Sequence, residues 1–207
     1  MLSEALGTWV RGKMLVVGSA FARIGITPNM ATMIGLVLNI IVAIILGFGH
    51  PIIAGVLLLF ASAFDMVDGS IARATNTISK FGGFFDSTID RYSEIVVYIG
   101  LLVWLNTTTD DHLGSLLVLI ATSGALMISY ARARAEALGY NASVGFLARP
   151  ERVILLAVCL IIHQPMWALW VLAPLTHITA IWRIFHVYQL AKADGEIHLH
   201  KQFRERS

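Results

Sequence analysis

The chain has little charge for its length and almost no cysteine. Only 14% of its 207 residues are charged, whereas 57% are hydrophobic, and the mean hydropathy is +0.75. This composition excludes an ordinary soluble domain, in which about a quarter of the residues are charged. The single cysteine, Cys159, lies in an apolar run. The sequence therefore supports neither a disulfide nor a cysteine-based metal site.

Long apolar stretches take the place of charged segments. A spanning helix needs about 20 residues, and all but the fifth of these stretches come close to that length. In lipid, helices satisfy their backbone polar groups internally, and no long alternating pattern indicates a barrel. We therefore predict an all-α, polytopic membrane protein with six transmembrane helices. The stretches are residues 31–48, 52–72, 84–105, 113–138, 150–163 and 166–190.

Lysine and arginine are absent from three predicted loops, at residues 47–51, 106–112 and 163–165. All 15 lysines and arginines then fall on the other side of the membrane. Cytoplasmic loops carry the excess of basic residues. We therefore expect a multi-pass protein of the cell membrane with both termini in the cytoplasm and its active site at the cytoplasmic face.

We expect one integral-membrane domain with three parts. Residues 1–25 mix apolar and basic side chains, as in an amphipathic helix lying in the membrane interface, although a helix packed on the bundle fits equally well. Residues 26–191 form the six-helix bundle. Residues 192–207 form a basic cytoplasmic tail, which is suited to anionic lipid and not to nucleic acid.

Four aspartates interrupt the second and third apolar stretches. Asp65 and Asp68 are three residues apart, and Asp86 and Asp90 are four apart, so each pair lies on one face of a helix. The short connection over residues 75–81 makes the two helices antiparallel neighbours, with the pairs facing each other. Ionisable groups within a membrane segment are functional by default. Hard oxygen ligands of this kind suit Mg²⁺, Mn²⁺ or Ca²⁺ and not zinc.

Small residues and one arginine accompany the aspartates. Gly69, Ala72 and Gly82 leave room for a ligand against the helix backbones. Arg73, one turn after Gly69, can bind phosphate oxygens bidentately. The metal site, the space left by the small residues and the nearby arginine together predict a pyrophosphate site. A divalent-ion transport pathway is the rival hypothesis, and the outer half of the bundle offers no polar relay for it.

A second group of basic residues lies farther along the chain. Arg132 and Arg134 end the fourth predicted helix, Arg149 and Arg152 begin the fifth, and Arg183 lies within the sixth. Arginines that converge beside a metal site would hold a phosphorylated acceptor. For Arg132, Arg134 and Arg149, each taken alone, anchoring at the cytoplasmic face is about as good an explanation as phosphate binding. A buried cation such as Arg183 needs a partner.

The aspartates belong to a longer pattern, D-x2-D-G-x2-A-R-x8-G-x3-D-x3-D, which runs from Asp65 to Asp90. It resembles the signature of the CDP-alcohol phosphotransferase family, position for position. The resemblance implies a metal-dependent transferase with two Mg²⁺ or Mn²⁺ ions on Asp65, Asp68 and Asp86, and with Asp90 ligating or standing beside them. It also implies a homodimer.

The same resemblance implies how the substrate lies and how it reacts. The cytidine of a CDP-linked lipid such as CDP-diacylglycerol would lie over Gly69, Ala72 and Gly82, beside Arg73. Asp90 would act as the general base that activates the incoming hydroxyl, and CMP would leave.

Two further segments, residues 129–136 and 149–152, resemble the prokaryotic phosphatidylinositol-phosphate synthases within that family. Their likeness implies inositol 1-phosphate as the acceptor and phosphatidylinositol phosphate as the product. Glycerol 3-phosphate or another alcohol, and an archaeal ether CDP-lipid, are the alternatives. The residues that would contact the acceptor phosphate are Arg132, Arg134, Arg152 and Arg183.

Overall fold

A computed structural model describes residues 14–109 and 112–195, and every regular element in these ranges is helical. The predicted all-α class is therefore confirmed. A π-helical turn, Leu105–Thr109, follows the fifth helix. The helices are α1 (Met14–Arg23), α2 (Pro28–Gly47), α3 (Pro51–Phe64), α4 (Met66–Ala74), α5 (Lys80–Trp104), α6 (His112–Ala137), α7 (Arg149–Ile161) and α8 (Pro165–Ala193).

Local sequence explains where several helices begin. Proline occupies the first turn of α2, α3, α7 and α8, where its missing N–H group costs no hydrogen bond. The hydroxyl of Thr27 accepts a hydrogen bond from Met30 N at 3.3 Å, and that of Ser79 accepts one from Gly82 N at 2.9 Å. The Ser79 cap extends α5 four residues earlier than the apolar stretch that begins at residue 84.

The second predicted helix divides at Asp65 into α3 and α4. Asp65 itself keeps helical backbone angles, with φ −56° and ψ −20°, so the two parts together still form one candidate span, Pro51–Ala74. The division lies beside the first signature aspartate, and it sets the start of α4 at the level of the acidic cluster.

Four segments are long and apolar enough to cross a membrane: α2, α3 with α4, α6 and α8. These segments support a membrane protein with several spans. The predicted count of six rests additionally on α5 and α7. The first 15 residues of α5 carry five charged side chains, and α7 has only 13 residues, so α5 is too charged and α7 too short to be counted with these four.

The described part of the N-terminal segment, α1, packs on the bundle. The rings of Phe21 and Phe64 meet edge to face with centroids 5.8 Å apart, and Met14 and Phe21 contact a small buried cluster of Ala31, Val67 and Ile71. This packing agrees with a helix packed on the bundle, and the position of α1 in the membrane interface stays a prediction. Residues 1–13 and the predicted basic tail from residue 196 onward lie outside the described residues.

Close helix contacts hold the aspartate-bearing elements in place. Gly100 of α5 lies directly against the backbone of α2, and a Cβ atom there would come within 2.5 Å of Ala43 O. Small residues at such crossings are typical of membrane helices, because they let backbones approach closely. The main core lies among α2, α3 and α5 to α8. This packing brings the charged end of α5 beside α4 and the start of α7.

Candidate active site

The structure brings all four signature aspartates to one end of the bundle. Asp65 lies at the junction of α3 and α4, Asp68 lies in the first turn of α4, and Asp86 and Asp90 lie one turn apart on α5. The carboxylates of Asp68 and Asp86 are close enough for their charges to interact. Asp90 is close enough to Asp65 and Asp68 for their charges to interact. Four carboxylates so close together need cations nearby.

One such cation is Arg149, the first residue of α7. Its Nη2 atom lies 2.6 Å from Asp65 Oδ2, and its Nη1 atom lies 2.8 Å from Asp90 Oδ1. Arg91 adds a longer contact, 3.5 Å from Nη1 to Asp90 Oδ2. Sequence reasoning assigned Arg149 to the second basic group and missed this role. The only available signal was the general need of a membrane cation for a partner, which names no partner.

Helix α2 shapes the acidic cluster from the other side. Thr32 donates a hydrogen bond from Oγ1 to Asp68 Oδ2 at 2.8 Å, and the backbone N–H of Gly69 donates to Asp68 Oδ1. A Cβ atom on Gly35 would lie 2.5 Å from Asp65 Oδ1. Sequence reasoning named neither Thr32 nor Gly35, since both lie in an apolar helix with no local mark of function.

Over residues 14–109 and 112–195, no three acidic, histidine or cysteine side chains already converge on one point as a ligand set. The described contacts explain this, because Asp65 and Asp90 point to Arg149 and Asp68 points to Thr32. The donors nevertheless fit a divalent cation. They are clustered carboxylate oxygens, the ligands that Mg²⁺ and Mn²⁺ take, and Gly35 leaves room for Asp65.

A cavity of about 460 Å³ opens beside the acidic cluster. This volume is within the range typical of small-molecule sites. Asp68 and Asp86 line it, and so do all four residues predicted to bind the CDP-lipid, namely Gly69, Ala72, Arg73 and Gly82. The Arg73 guanidinium lies over Gly69, 3.3 Å from the position of a Cβ there. A phosphate in this cavity would therefore have Arg73 and two of the signature aspartates among its neighbours.

The predicted acceptor arginines differ in their surroundings. Arg152 is buried and binds Glu94 through two nitrogens, while its Nη1 atom donates to Leu147 O at 3.0 Å. Arg183 donates to two backbone carbonyls, Val144 O at 2.9 Å and Ile128 O at 2.7 Å. Both side chains thus tie neighbouring elements together.

Arg132 and Arg134 lie on the exposed end of α6. Arg132 pairs with Glu136 at 2.7 Å and lines a second cavity of about 390 Å³. Arg183 is close enough to Arg132 and Arg152 for their charges to interact. The structure therefore gathers three of the four arginines into one basic region. Their contact with an acceptor phosphate stays a prediction.

Comparisons of this chain with known proteins agree on one family. The model of the CDP-alcohol phosphatidyltransferase family matches residues 25–182. Archaetidylinositol phosphate synthase of Pyrococcus horikoshii is 33% identical over 170 residues, which are 82% of this chain and 87% of that protein.

Two crystal structures of one bacterial enzyme share the fold. The structure of Mycobacterium tuberculosis phosphatidylinositol phosphate synthase with CDP-DAG bound has a TM-score of 0.81 and 29% identity, covering 84% of this chain and 93% of that chain. The structure in complex with manganese and citrate has a TM-score of 0.80 and 29% identity, covering 84% of this chain and 88% of that one.

Proposed function

The chain belongs to the CDP-alcohol phosphatidyltransferase family, and we propose that it transfers the phosphatidyl group of CDP-diacylglycerol to inositol 1-phosphate, yielding phosphatidylinositol phosphate and CMP. One observation carries this proposal: the cavity of about 460 Å³ joins the signature glycines and Arg73 to two of the signature aspartates. The names of the archaeal relative and of the bacterial structure support an inositol-phosphate acceptor.

The metal ligands would be Asp65, Asp68, Asp86 and Asp90, holding two Mg²⁺ or Mn²⁺ ions. The complex of the related enzyme with manganese supports a divalent cation. Bound there, such cations would neutralise the pyrophosphate and stabilise the charge that develops on CMP. All four aspartates lie at one end of the bundle, and Asp68 and Asp86 line the cavity.

The protein's own groups would then bind the substrate and move one proton. Arg73 would hold the pyrophosphate, and the small residues Gly69, Ala72 and Gly82 would leave space for the cytidine. Asp90 would accept the proton of the acceptor hydroxyl as that oxygen bonds to the β-phosphorus. The bond between this phosphorus and the oxygen bridging to CMP breaks, and CMP leaves with its electron pair.

The acceptor phosphate would lie against the basic region that contains Arg132, Arg152 and Arg183, and Arg134 would also contact it. The support is the proximity of Arg183 to Arg132 and Arg152, since several arginines suit a phosphorylated alcohol better than a neutral one. Glycerol 3-phosphate is the alternative acceptor. The archaeal relative makes an ether CDP-lipid the alternative donor.

The proposed setting is the cell membrane, with six spans and both termini in the cytoplasm. α5 and α7 would complete the six, because both pack within the core formed with the four apolar segments. The charge asymmetry of the loops supports a cytoplasmic active site. Residues 26–191 would form the bundle of a homodimer, with residues 192–207 as a basic tail at the membrane surface.

The test is CMP release by the purified protein with CDP-diacylglycerol and Mg²⁺ or Mn²⁺. Inositol 1-phosphate, glycerol 3-phosphate, free inositol and serine are supplied separately, and the Asp68→Asn variant serves as the control. Release only with inositol 1-phosphate is expected. Release only with another acceptor would keep the metal chemistry and refute the acceptor assignment. Ion flux without CMP release would favour the transporter hypothesis.

A further inference from the structure

Arg149 is the cation that holds the acidic cluster together in the described structure. It begins α7, and its two terminal nitrogens bind carboxylates from two other elements: Asp65 at the α3–α4 junction and Asp90 on α5. The N···O distances of 2.6 and 2.8 Å are those of strong, charge-assisted hydrogen bonds. One guanidinium thus joins three helical elements at the point where the signature aspartates meet.

Among the described residues, Arg149 has hydrogen-bond partners at only two of its three guanidinium nitrogens. Its Nε atom is buried and has no hydrogen-bond partner among the described residues. Arg152, one turn later, has its donors on Glu94 and on the carbonyl of Leu147. The two carboxylates thus fix the terminal nitrogens of Arg149, whereas Arg152 has a partner at each of its three nitrogens. Of the two arginines, Arg149 is the one that a competing cation at the aspartates would release.

We propose that Arg149 is an internal counter-cation that competes with the divalent metal for Asp65 and Asp90. This inference rests on the metal site of the proposed function. The lone pairs that Arg149 engages on these two side chains are not free for a metal, and a divalent cation close by repels a guanidinium. Arg149 contacts only Oδ2 of Asp65 and Oδ1 of Asp90, so on this proposal it is the repulsion by the divalent cation that moves Arg149 away from at least one carboxylate.

Two consequences follow from such competition. In the metal-free protein, Arg149 lowers the repulsion among the carboxylates and so stabilises the end of the bundle. In the presence of metal, the measured affinity is lower than the intrinsic affinity, because only the fraction of molecules with free carboxylates can bind. The opposite role, in which Arg149 prearranges the aspartates as ligands, predicts that removing it weakens metal binding.

The experiment is Mn²⁺ binding to the purified full chain in detergent, followed through the electron paramagnetic resonance signal of free Mn²⁺. Arg149→Gln is expected to bind Mn²⁺ several-fold more tightly than wild type, on the order of threefold or more if Arg149 occupies the site most of the time. Its thermal midpoint without metal should fall, and the rise on adding Mn²⁺ should be larger than in wild type. Unchanged or weaker binding would overturn the proposal.

Arg91→Gln is the matched control for charge alone. Arg91 also lies beside Asp90, but at 3.5 Å, and its Nη1 atom donates to Ser87 O at 3.0 Å. This variant removes the same charge without removing the bridge between Asp65 and Asp90. If both variants bound Mn²⁺ more tightly by the same factor, the cause would be the loss of one positive charge near the site. That result would overturn direct competition.

Two further variants complete the design. Arg149→Lys keeps the charge but cannot span both carboxylates with a fork, so its Mn²⁺ affinity should lie between those of wild type and Arg149→Gln. If the glutamine variant does not fold, a lysine variant no tighter than wild type overturns the proposal. Asp68→Asn removes a ligand that is held by Thr32 and not by Arg149. Absence of Mn²⁺ binding in wild type would overturn the metal site itself, and the competition with it.

Discussion

Arg152 and Glu94 form a two-pronged ion pair that joins α7 to α5, with Nε 2.8 Å from Oε1 and Nη2 2.8 Å from Oε2. Their side chains are only 2% and 9% exposed. The pair lies one turn beyond both Asp90 and Arg149 along their helices. It therefore fixes α5, which carries Asp86 and Asp90, relative to α7, which begins with Arg149.

Glu94→Gln should destabilise the protein strongly. Removing one partner of a buried ion pair leaves an uncompensated charge and costs about 3–5 kcal/mol. Thermal unfolding of the purified variant measures the loss. The double variant Glu94→Gln with Arg152→Gln removes both charges and should recover much of it. A single variant as stable as wild type would show that the pair does not hold α5 and α7 together.

Thr32→Val should weaken the metal site through Asp68. The lost hydrogen bond to a charged group is worth about 1.5–3 kcal/mol, which corresponds to roughly ten- to a hundredfold in kcat/KM if all of it acts in the transition state. Steady-state CMP release and Mn²⁺ affinity measure the effect. Thr32→Ser keeps the hydroxyl and should retain most of the activity. Equal losses in both variants would contradict a role for that hydrogen bond.

Gly35→Ala should displace Asp65. The added Cβ would lie 2.5 Å from Asp65 Oδ1, and a misplacement of about 1 Å in an active site can cost on the order of a hundredfold in rate. Gly47→Ala on the same helix is the matched control, because its nearest neighbour, Val103 Cγ1, is 3.5 Å away. We expect CMP release to fall sharply in the first variant and to change little in the second.

Asp90→Asn should abolish turnover while CDP-lipid binding is largely retained. An amide cannot accept the hydroxyl proton, and general-base catalysis contributes about 10²–10⁴-fold. CMP release measures the first effect, and binding of CDP-diacylglycerol to the purified variant measures the second. Normal turnover would refute Asp90 as the base.

Arg183→Ala should chiefly raise the KM for the phosphorylated acceptor. The change removes one charge from the basic region and frees the carbonyl of Val144 in the connection between α6 and α7. The KM for CDP-diacylglycerol should stay close to the wild-type value, because the 460 Å³ cavity is lined by other residues. An unchanged acceptor KM would leave Arg183 with the structural role alone.

The sequence was informative wherever function depends on local spacing. Asp65 and Asp68, like Asp86 and Asp90, had to share helix faces, because residues three or four apart lie on one side of a helix. Gly69, Ala72 and Gly82 were identified as a gap for a ligand because they lack bulky side chains. The structure places these three residues in the lining of one cavity with Arg73.

The sequence did not identify the residues whose functional partners are far away along the chain. Thr32 and Gly35 look like ordinary positions of an apolar helix, although one binds Asp68 and the other makes room for Asp65. The role of Arg152 was equally hidden, because anchoring, acceptor binding and pairing with Glu94 all require the same basic residue.

The sequence by itself determined that the chain is all-helical and that it belongs in a membrane. It also determined that the signature aspartates form pairs of carboxylates, whose oxygens suit hard divalent cations. Composition and helical periodicity are local properties, and they suffice for these conclusions. Only the tertiary structure decided which partner each charge holds. Arg149 meets Asp65 across 84 residues, Arg152 meets Glu94 across 58, and Thr32 meets Asp68 across 36. Such pairs arise from the packing of whole helices against one another, and no periodicity within one helix encodes them.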